Sequence, residues 1–207
     1  MPLVEDFCTH FHLAVEDPQE ETVQPANAAQ LIDSWRKHNT WAVGAMSTGM
    51  EADKPELHYL PAKSATAWWR YMRVKQEIED SLTEDIFVPS LLILMNPKKQ
   101  LFSMMVWPKG IAQFFPQCDY VFMARDKKRL FGTKEETGLV AYDAVIASIG
   151  HLLDDYEFGG NQFKYLRPGK ESRVVPLIQT LALESVDLSQ YTRMGPDSFH
   201  DVDLAAK

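Results

Sequence analysis

The stretch that decides the fold lies at residues 90–107 and reads SLLILMNPKKQLFSMMVW. Two apolar runs flank the polar segment 96–100, in which Asn and Pro favour a reversal of the chain. Short apolar runs that are separated by such a turn are typical of paired antiparallel strands. We therefore predict strands at 90–95 and 101–107.

Further short runs extend this hairpin into a predicted antiparallel meander around residues 90–131. Residues 118–124 fit a third strand, residues 126–128 a second turn, and residues 129–131 a short return strand. Apolar residues occupy both faces of the strand at 101–107, whereas a sheet with one wet face would alternate with polar residues. The sheet is therefore expected to be covered on both sides.

Two amphipathic helices are available to cover this sheet. Apolar side chains recur every three or four positions between residues 64 and 82, and again between 138 and 158, where a pair of glycines follows. Residues 133–136 fit a capping box ahead of the second helix. The sequence thus predicts an α+β fold, with a central, mainly antiparallel sheet covered by helices at 64–82 and 138–158.

The other segments carry shorter patterns. Alternation over residues 7–15 predicts a strand, a helix is expected over 25–39, and a second strand is expected at 41–47. Residues 162–166 fit another strand. The apolar segment 173–186 is compatible with either helix or strand, because its proline and paired valines oppose the spacing of its leucines.

The composition is that of a folded domain. The 207 residues are 45% hydrophobic and 24% charged, and a chain of this length buries about 70% of its unfolded surface. We expect a single domain over residues 1–186. Residues 187–207 are polar and acidic with little periodicity, so a loosely packed tail is expected there.

Charge and cysteine content predict the location and exclude some partners. The chain has two cysteines, and its first residues lack the apolar segment of a signal peptide. No apolar run approaches the roughly 18 residues that a membrane span needs. We therefore expect a cytoplasmic protein that does not insert into the membrane. The formal net charge of -8 disfavours general nucleic-acid binding.

Three residues near the N-terminus are candidate metal ligands. Cys8, His10 and His12 alternate along the predicted strand, and thiolate and imidazole suit zinc or copper. Three ligands in a row on one strand cannot surround an ion, and no further pair completes the set. The alternative is a solvent-facing strand with incidental histidines.

Two sets of residues are candidates for hydrolytic chemistry. Asp119, Asp126 and Lys128 match in part an arrangement in which carboxylates hold a divalent metal and a lysine stabilises charge on a phosphate. His151 is followed by aspartates three and four residues later, and a His–Asp contact can serve as a general base. The alternatives are an ordinary polar turn and a solvated helix end.

The two predicted turns carry a candidate binding surface. Alternate turns of a meander lie at the same end of a sheet, so their basic residues are expected to form one basic edge that meets an acidic ligand or a protein partner. The alternative is a pair of solvated hairpin tips. The basic residues are Lys98, Lys99, Arg125, Lys127, Lys128 and Arg129.

Trp68 and Trp69 are a second binding candidate. They lie about 100° apart around the predicted helix, so both are buried only if that helix is well covered. One of them is expected to line a pocket or an interface, unless the core is generous enough for both.

No cofactor is expected, because the chain lacks a glycine-rich phosphate loop and a nucleophile elbow. The sequence favours a non-catalytic binding or protein-interaction domain. Two alternatives stay open. One is a metal-dependent hydrolase or nuclease whose site is assembled from dispersed carboxylates and histidines, and the other is a carrier of a small apolar ligand. The oligomeric state is not predicted.

Overall fold

The fold is described by a computed structural model that covers residues 2–17, 22–48, 57–129 and 132–203. Within these ranges the chain forms five α-helices, a five-stranded main sheet and three smaller sheets. No helix in these ranges is long and apolar enough to cross a membrane.

The chain divides into two compact units. The first comprises Met1–Pro55 and Val202–Lys207, and the second comprises Glu56–Asp201. The sequence predicts a single domain over residues 1–186, and this remains a prediction.

The first unit contains two helices and a β-hairpin between them. Asn27 caps the second helix, because its Oδ1 accepts a hydrogen bond of 3.0 Å from the backbone N of Gln30. The elements of this unit are α1 (Pro2–His10), β1 (Ala14–Asp17), β2 (Thr22–Pro25) and α2 (Ala28–Thr48).

The predictions for this unit are wrong in two places. Phe7 and Phe11 are four residues apart, which also fits a helical stripe, and the chain forms α1 where a strand was expected over 7–15. The helix expected over 25–39 becomes the longer α2, which takes in the strand expected at 41–47. Val43 favours a strand by propensity, but it lies within α2, where it is buried.

The second unit holds the main sheet. The strands of this unit, in the main sheet and in two smaller sheets, are β3 (His58–Tyr59), β4 (Leu92–Met95), β5 (Leu101–Pro108), β6 (Phe114–Phe115), β7 (Tyr120–Arg129), β8 (Gly132–Ala141), β9 (Asp154–Phe158), β10 (Asn161–Tyr165), β11 (Thr192–Met194) and β12 (Phe199–His200). Its helices are α3 (Ala62–Ser81), α4 (Tyr142–Ile149) and α5 (Glu171–Ile178), with 3-10 turns at Gly150–Leu152 and Leu188–Gln190.

The main sheet has the strand order β11-β4-β5-β7-β8, and its neighbouring strands are antiparallel except for β5 and β7. The predicted α+β class and mainly antiparallel sheet are confirmed. The meander is wrong, because the chain leaves β5, passes through β6 in a second sheet and enters β7 in the same direction as β5. Gly110, with a φ of 75°, allows the turn that takes the chain out of β5.

The hairpin of β7 and β8 replaces two predicted features. Residues 126–128, expected as a turn, continue β7, and residues 133–136, expected as a capping box, lie in β8. The helix expected over 138–158 is confined to α4, since β8 takes its first residues and β9 its last. Ten paired positions along β7 and β8 outweigh the local helical spacing.

Other predicted elements are confirmed. The helix expected at 64–82 is α3, the hairpin over 90–107 is β4 with β5, and the strand at 162–166 is β10. The undecided segment 173–186 begins inside α5.

One face of the main sheet carries the largest core. Met105 and Trp107 of β5 pack in one cluster with Tyr71 of α3, Val145 of α4 and Val174 of α5. All five side chains are at most 3% exposed. This cluster joins three helices to the sheet and anchors the elements that position the cleft described below.

The opposite face of the sheet packs against the C-terminal segment. Phe102 and Met104 of β5 contact a cluster that includes Val186, Leu188 and Tyr191. Beyond these, β11 pairs with β4 and β12 pairs with β3. Apolar side chains between residues 186 and 191 thus contact the sheet, within the region where a loosely packed tail is expected from residue 187.

Candidate binding cleft

A cleft of about 700 Å³ opens in the second unit, where β5 and β7 begin and β8 ends. Its walls are the first turns of α3 and α4, the turn at 96–100, and the segment that carries Glu184 and Tyr191. Pockets that hold small ligands or short peptide segments have volumes of about 300–1,000 Å³. The cleft is therefore large enough to be a binding site.

Asp119 is half-buried in this cleft and is held by two serines. Its Oδ1 accepts a hydrogen bond of 2.9 Å from Oγ of Ser64 on α3. Its Oδ2 accepts hydrogen bonds of 2.7 Å from both the backbone N and the Oγ of Ser103 on β5. The three bonds fix the orientation of the carboxylate, and about one of its four acceptor positions is left for a ligand.

A cluster of three aromatic rings also lines the cleft. The ring of Phe102 lies 5.2 Å from that of Tyr120 and 6.0 Å from that of Tyr191, with edge-to-face angles of 78° and 87°. Tyr120 directly follows Asp119 in the chain. The cleft therefore contains an aromatic surface as well as a fixed polar group.

Cys118 also lines the cleft, but its surroundings disfavour a nucleophilic role. The side chain is buried, and its Sγ donates a hydrogen bond of 3.2 Å to the carbonyl oxygen of Tyr120. Burial, with a smaller contribution from the charge of Asp119, raises the pKa of the thiol. Nucleophilic cysteines need the thiolate, so Cys118 is a structural residue here.

Lys99 borders the cleft and has a strained backbone. Its φ is 60°, a left-handed conformation that costs a non-glycine residue about 1 kcal/mol. The turn is fixed by hydrogen bonds between the backbone N of Lys99 and the carbonyl oxygen of Asn96 (2.9 Å), and between the N of Asn96 and the carbonyl oxygen of Gln100 (3.0 Å). Strain of this kind is retained where a functional site requires it.

Replacing Lys99 by glycine is expected to stabilise the protein by roughly 0.5 to 1 kcal/mol, because glycine adopts this conformation without strain. Urea denaturation measures the change. The control is Lys98→Gly, at a neighbouring position without a positive φ, which should lose a similar amount of stability. Equal losses in both variants would show that the turn at Lys99 is not strained.

The basic edge expected from the sequence is not assembled. β5 and β7 run in parallel, with Met104 opposite Tyr120. Lys98 and Lys99 therefore lie at one end of the main sheet, whereas Arg125 lies at the other end, beyond the last residue of β5. Three more basic residues share the strand end of Arg125: Lys127, Lys128 and Arg129. The side chains of Lys128 and Arg129 lie outside the described residues.

At the Arg125 end of the main sheet, the basic side chains that the structure describes form contacts within the protein. Arg125 is buried, and its Nη2 donates a hydrogen bond of 3.3 Å to Oε2 of Glu136. The Nζ of Lys127 lies 3.1 Å from the other oxygen of Glu136. The hydrogen bond from Lys127, with that from Arg125, holds the pKa of Glu136 below its ordinary value. The stability that this carboxylate contributes is present above its unfolded-state pKa and is lost as the pH falls through its folded-state pKa.

Asp126 is also part of an ion-pair network and not of a metal site. The Nζ of Lys109 lies 3.3 Å from Oδ1 of Asp126 and 2.7 Å from Oε2 of Glu135, its partner across the strands. Hydrogen bonds from Lys109 to Glu135 and to Asp126 raise the pKa of the lysine. Seven residues of strand separate Asp126 from Asp119, a distance of about 23 Å. The nuclease-like set is therefore not brought together.

The two aspartates that were expected to contact His151 pair with other residues. His151 is exposed in the 3-10 turn after α4. Both oxygens of Asp154 accept hydrogen bonds from Nζ of Lys170, at 2.9 and 2.8 Å. Oδ1 of Asp155 accepts one of 2.8 Å from Nζ of Lys164. The two aspartates are thus paired with lysines.

The candidate metal ligands Cys8, His10 and His12 do not form a group. Cys8 is buried and His10 is exposed, both on α1, where residues two positions apart point about 200° from each other. His12 lies in the following turn with a φ of 52°. Within residues 2–17, 22–48, 57–129 and 132–203, no three His, Cys, Asp or Glu side chains are placed to hold a metal ion.

Of the two adjacent tryptophans, Trp68 packs against the core and Trp69 lies at the surface. The Nε1 of Trp68 donates a hydrogen bond of 2.9 Å to the carbonyl oxygen of Leu91, and its ring meets that of Phe199 at 5.9 Å. Trp69 remains 49% exposed. Trp68 therefore ties α3 to the start of β4, and Trp69 is the one that is free to meet a partner.

The sequence predicts Asp119 as a candidate site residue, but it does not predict the residues that surround Asp119 in the cleft. Ser64 and Tyr191 come from distant segments, and no local spacing links them to Asp119. One signal is present: Ser103 is a lone polar residue in an apolar strand, and it is 1% exposed. A buried hydroxyl requires a hydrogen-bond partner, so Ser103 indicates a polar contact beneath the sheet surface.

No family model, no curated protein and no solved structure matches the chain. The functional conclusion therefore rests on the residues of the cleft.

Proposed function

We propose that this chain is a non-catalytic binding protein and that the cleft around Asp119 is its binding site. The supporting observation is an open cleft of about 700 Å³ in which three hydrogen bonds hold a half-buried carboxylate and which a cluster of three aromatic rings also lines. Ligand sites combine a few fixed polar groups, which orient the ligand, with aromatic surface, which supplies affinity.

The ion pairs formed by candidate catalytic carboxylates support a non-catalytic role. Asp126 is bound by Lys109 and Asp154 by Lys170. A general base needs its acceptor atom next to the proton that it removes. Groups that are already saturated by lysines in solvated ion pairs are poor candidates for that role.

The first unit supports a protein partner. Several of its large apolar side chains are exposed, among them Phe7 at 57%, Trp35 at 55% and Trp41 at 73%. Exposed tryptophan and phenylalanine are enriched in protein interfaces. Together with the open cleft, this surface favours an interaction protein over a carrier of a small apolar ligand, whose aromatic and methionine-lined cavity would be internal.

A cytoplasmic location is part of this proposal. Cys8 and Cys118 are both unpaired and buried, which suits a reducing compartment. The net charge of -8 supports a partner that is not a nucleic acid.

Thermal unfolding in the presence of small probes of different charge tests the proposed site. We expect at least one class of cationic, anionic, neutral polar or aromatic probe to raise the melting temperature of the wild type. A ligand at 100 times its Kd adds about 2.7 kcal/mol, which corresponds to about 5–10 °C for a chain of this size. The variant Ala141→Trp places a bulky side chain in the cleft and should abolish the increase.

The matched control is Ala144→Trp, an exposed position on α4 that does not line the cleft. It should keep the full increase in melting temperature. A panel in which no probe distinguishes the two variants would contradict the proposal that the cleft is the binding site.

A further inference from the structure

We propose that the cleft binds a positively charged group, a guanidinium or an alkylammonium, with Asp119 as its anionic partner. This inference rests on the proposed function, since it names the chemistry of the ligand that the cleft takes. The group can belong to an arginine or lysine side chain of a peptide, or to a free amine.

Asp119 is the most deeply placed charge in the cleft. The other charged residues that line it are Lys63, Lys99, Asp143 and Glu184, and all four are exposed to water, whereas Asp119 is half-buried. Charges near water are screened, and a charge in a less polar environment interacts several times more strongly. The sign of the ligand is therefore set mainly by Asp119.

The carboxylate of Asp119 has hydrogen-bond donors but no cationic partner. Its three bonds come from Ser64 and Ser103, which are neutral. Among the described residues, none of the ion pairs includes Asp119. Buried or half-buried carboxylates are normally paired with a cation. An incoming guanidinium or ammonium would supply that missing charge and occupy the remaining acceptor position on Oδ1.

The aromatic wall suits the same ligand. Phe102, Tyr120 and Tyr191 form a continuous cluster of rings that lines the cleft. Cations are attracted to the faces of aromatic rings, and the alkyl stems of arginine and lysine pack on apolar surface. An anionic ligand would gain nothing from these rings and would be repelled by Asp119, Asp143 and Glu184.

Long-range electrostatics add to this preference. The chain carries a formal net charge of -8, which attracts a basic partner and raises its association rate. Lys63 and Lys99, together with the first turn of α3, would favour an anion at the mouth of the cleft. An anionic probe is therefore the necessary comparison.

Isothermal titration calorimetry on the full chain tests the inference with three blocked pentapeptides of alanine that differ only in the central residue: arginine, the uncharged isostere citrulline, or glutamate. A fourth probe, free butylguanidine, separates the sources of the cation. We expect the arginine peptide to bind about tenfold or more tightly than the citrulline peptide, because a hydrogen bond to a charged group is lost. A larger affinity for the peptide than for butylguanidine identifies a peptide as the source, and the converse identifies a free small cation.

Asp119→Asn should remove the preference for arginine over citrulline, whereas the rim variant Asp143→Asn should retain it. Asp119 also binds two serines, so a second variant protects the test against misfolding. Tyr191→Leu, which removes one ring of the wall, should weaken arginine binding by about threefold to tenfold.

The results separate this inference from the proposed function. If citrulline or glutamate peptides bind as tightly as the arginine peptide and Ala141→Trp blocks them, the cation inference is wrong and the cleft remains the binding site. If Ala141→Trp changes the binding of none of the four probes, both proposals are wrong.

Discussion

Replacing Gly138 by alanine is expected to destabilise the protein by about 3 kcal/mol. A Cβ at this position of β8 would lie 2.3 Å from the carbonyl oxygen of Glu184, a distance that no real Cβ contact reaches. Either the strand or the segment at Glu184 must move. That movement breaks the two backbone hydrogen bonds of 2.9 Å between Leu139 and Glu184.

The same substitution is expected to weaken binding in the cleft. The bridge between Leu139 and Glu184 holds the segment that carries Tyr191, and these three residues line the cleft. Thermal unfolding should show a decrease in melting temperature of about 6–12 °C. The control is Gly150→Ala, because a Cβ there meets only the Cγ2 of Ile146 at 3.5 Å. Equal melting temperatures for the two variants would contradict the close approach at Gly138.

Replacing Arg125 by methionine is expected to cost about 3–5 kcal/mol of stability. The Nη1 of Arg125 donates hydrogen bonds to the carbonyl oxygens of Ile178, Gln179 and Leu181, at 3.1, 3.1 and 2.7 Å. These carbonyls lie at and beyond the C-terminal end of α5, where a helix leaves its last carbonyl groups without the usual partners; that of Ile178 also accepts a bond of 3.4 Å from the backbone N of Leu181. Methionine preserves the apolar stem but leaves all three carbonyls and Glu136 without this donor.

Lys127→Met is the matched control for Arg125→Met. Lys127 is 53% exposed and pairs with the same Glu136, so its loss should cost at most about 1 kcal/mol. Urea denaturation of both variants at neutral pH measures the difference. A loss in Lys127→Met as large as that in Arg125→Met would show that the ion pair, and not the capping of α5, is the stabilising contact.

Local patterns were sufficient to predict the elements with strong periodicity. The spacing over 64–82 and the turn between two apolar runs at 90–107 lead directly to α3 and to the β4–β5 hairpin. Long-range pairing decided the elements that were predicted wrongly. The residues at 138–141 have helical spacing, but they pair with β7, and the parallel pairing of β5 with β7 depends on a connection through a second sheet.

The candidate site was predicted only in part for the same reason. Asp119 was selected as a carboxylate of a nuclease-like set, and Lys99 as a basic residue in a turn. Their shared cleft arises because the parallel β5 and β7 begin at the same end of the sheet. A meander would have placed Lys99 beside Arg125, which explains why the basic edge was expected and why it is not formed.

The central claim is that the cleft around Asp119 is the binding site. Chemical-shift mapping by two-dimensional NMR, during a titration with the arginine pentapeptide, tests it most directly. The prediction is that the largest shifts fall on residues 61–67, 99–103, 117–120 and 184–191, at the cleft. Shifts concentrated instead around Lys109, Val175 and Gln179, which line a separate cavity of about 520 Å³, would contradict the claim.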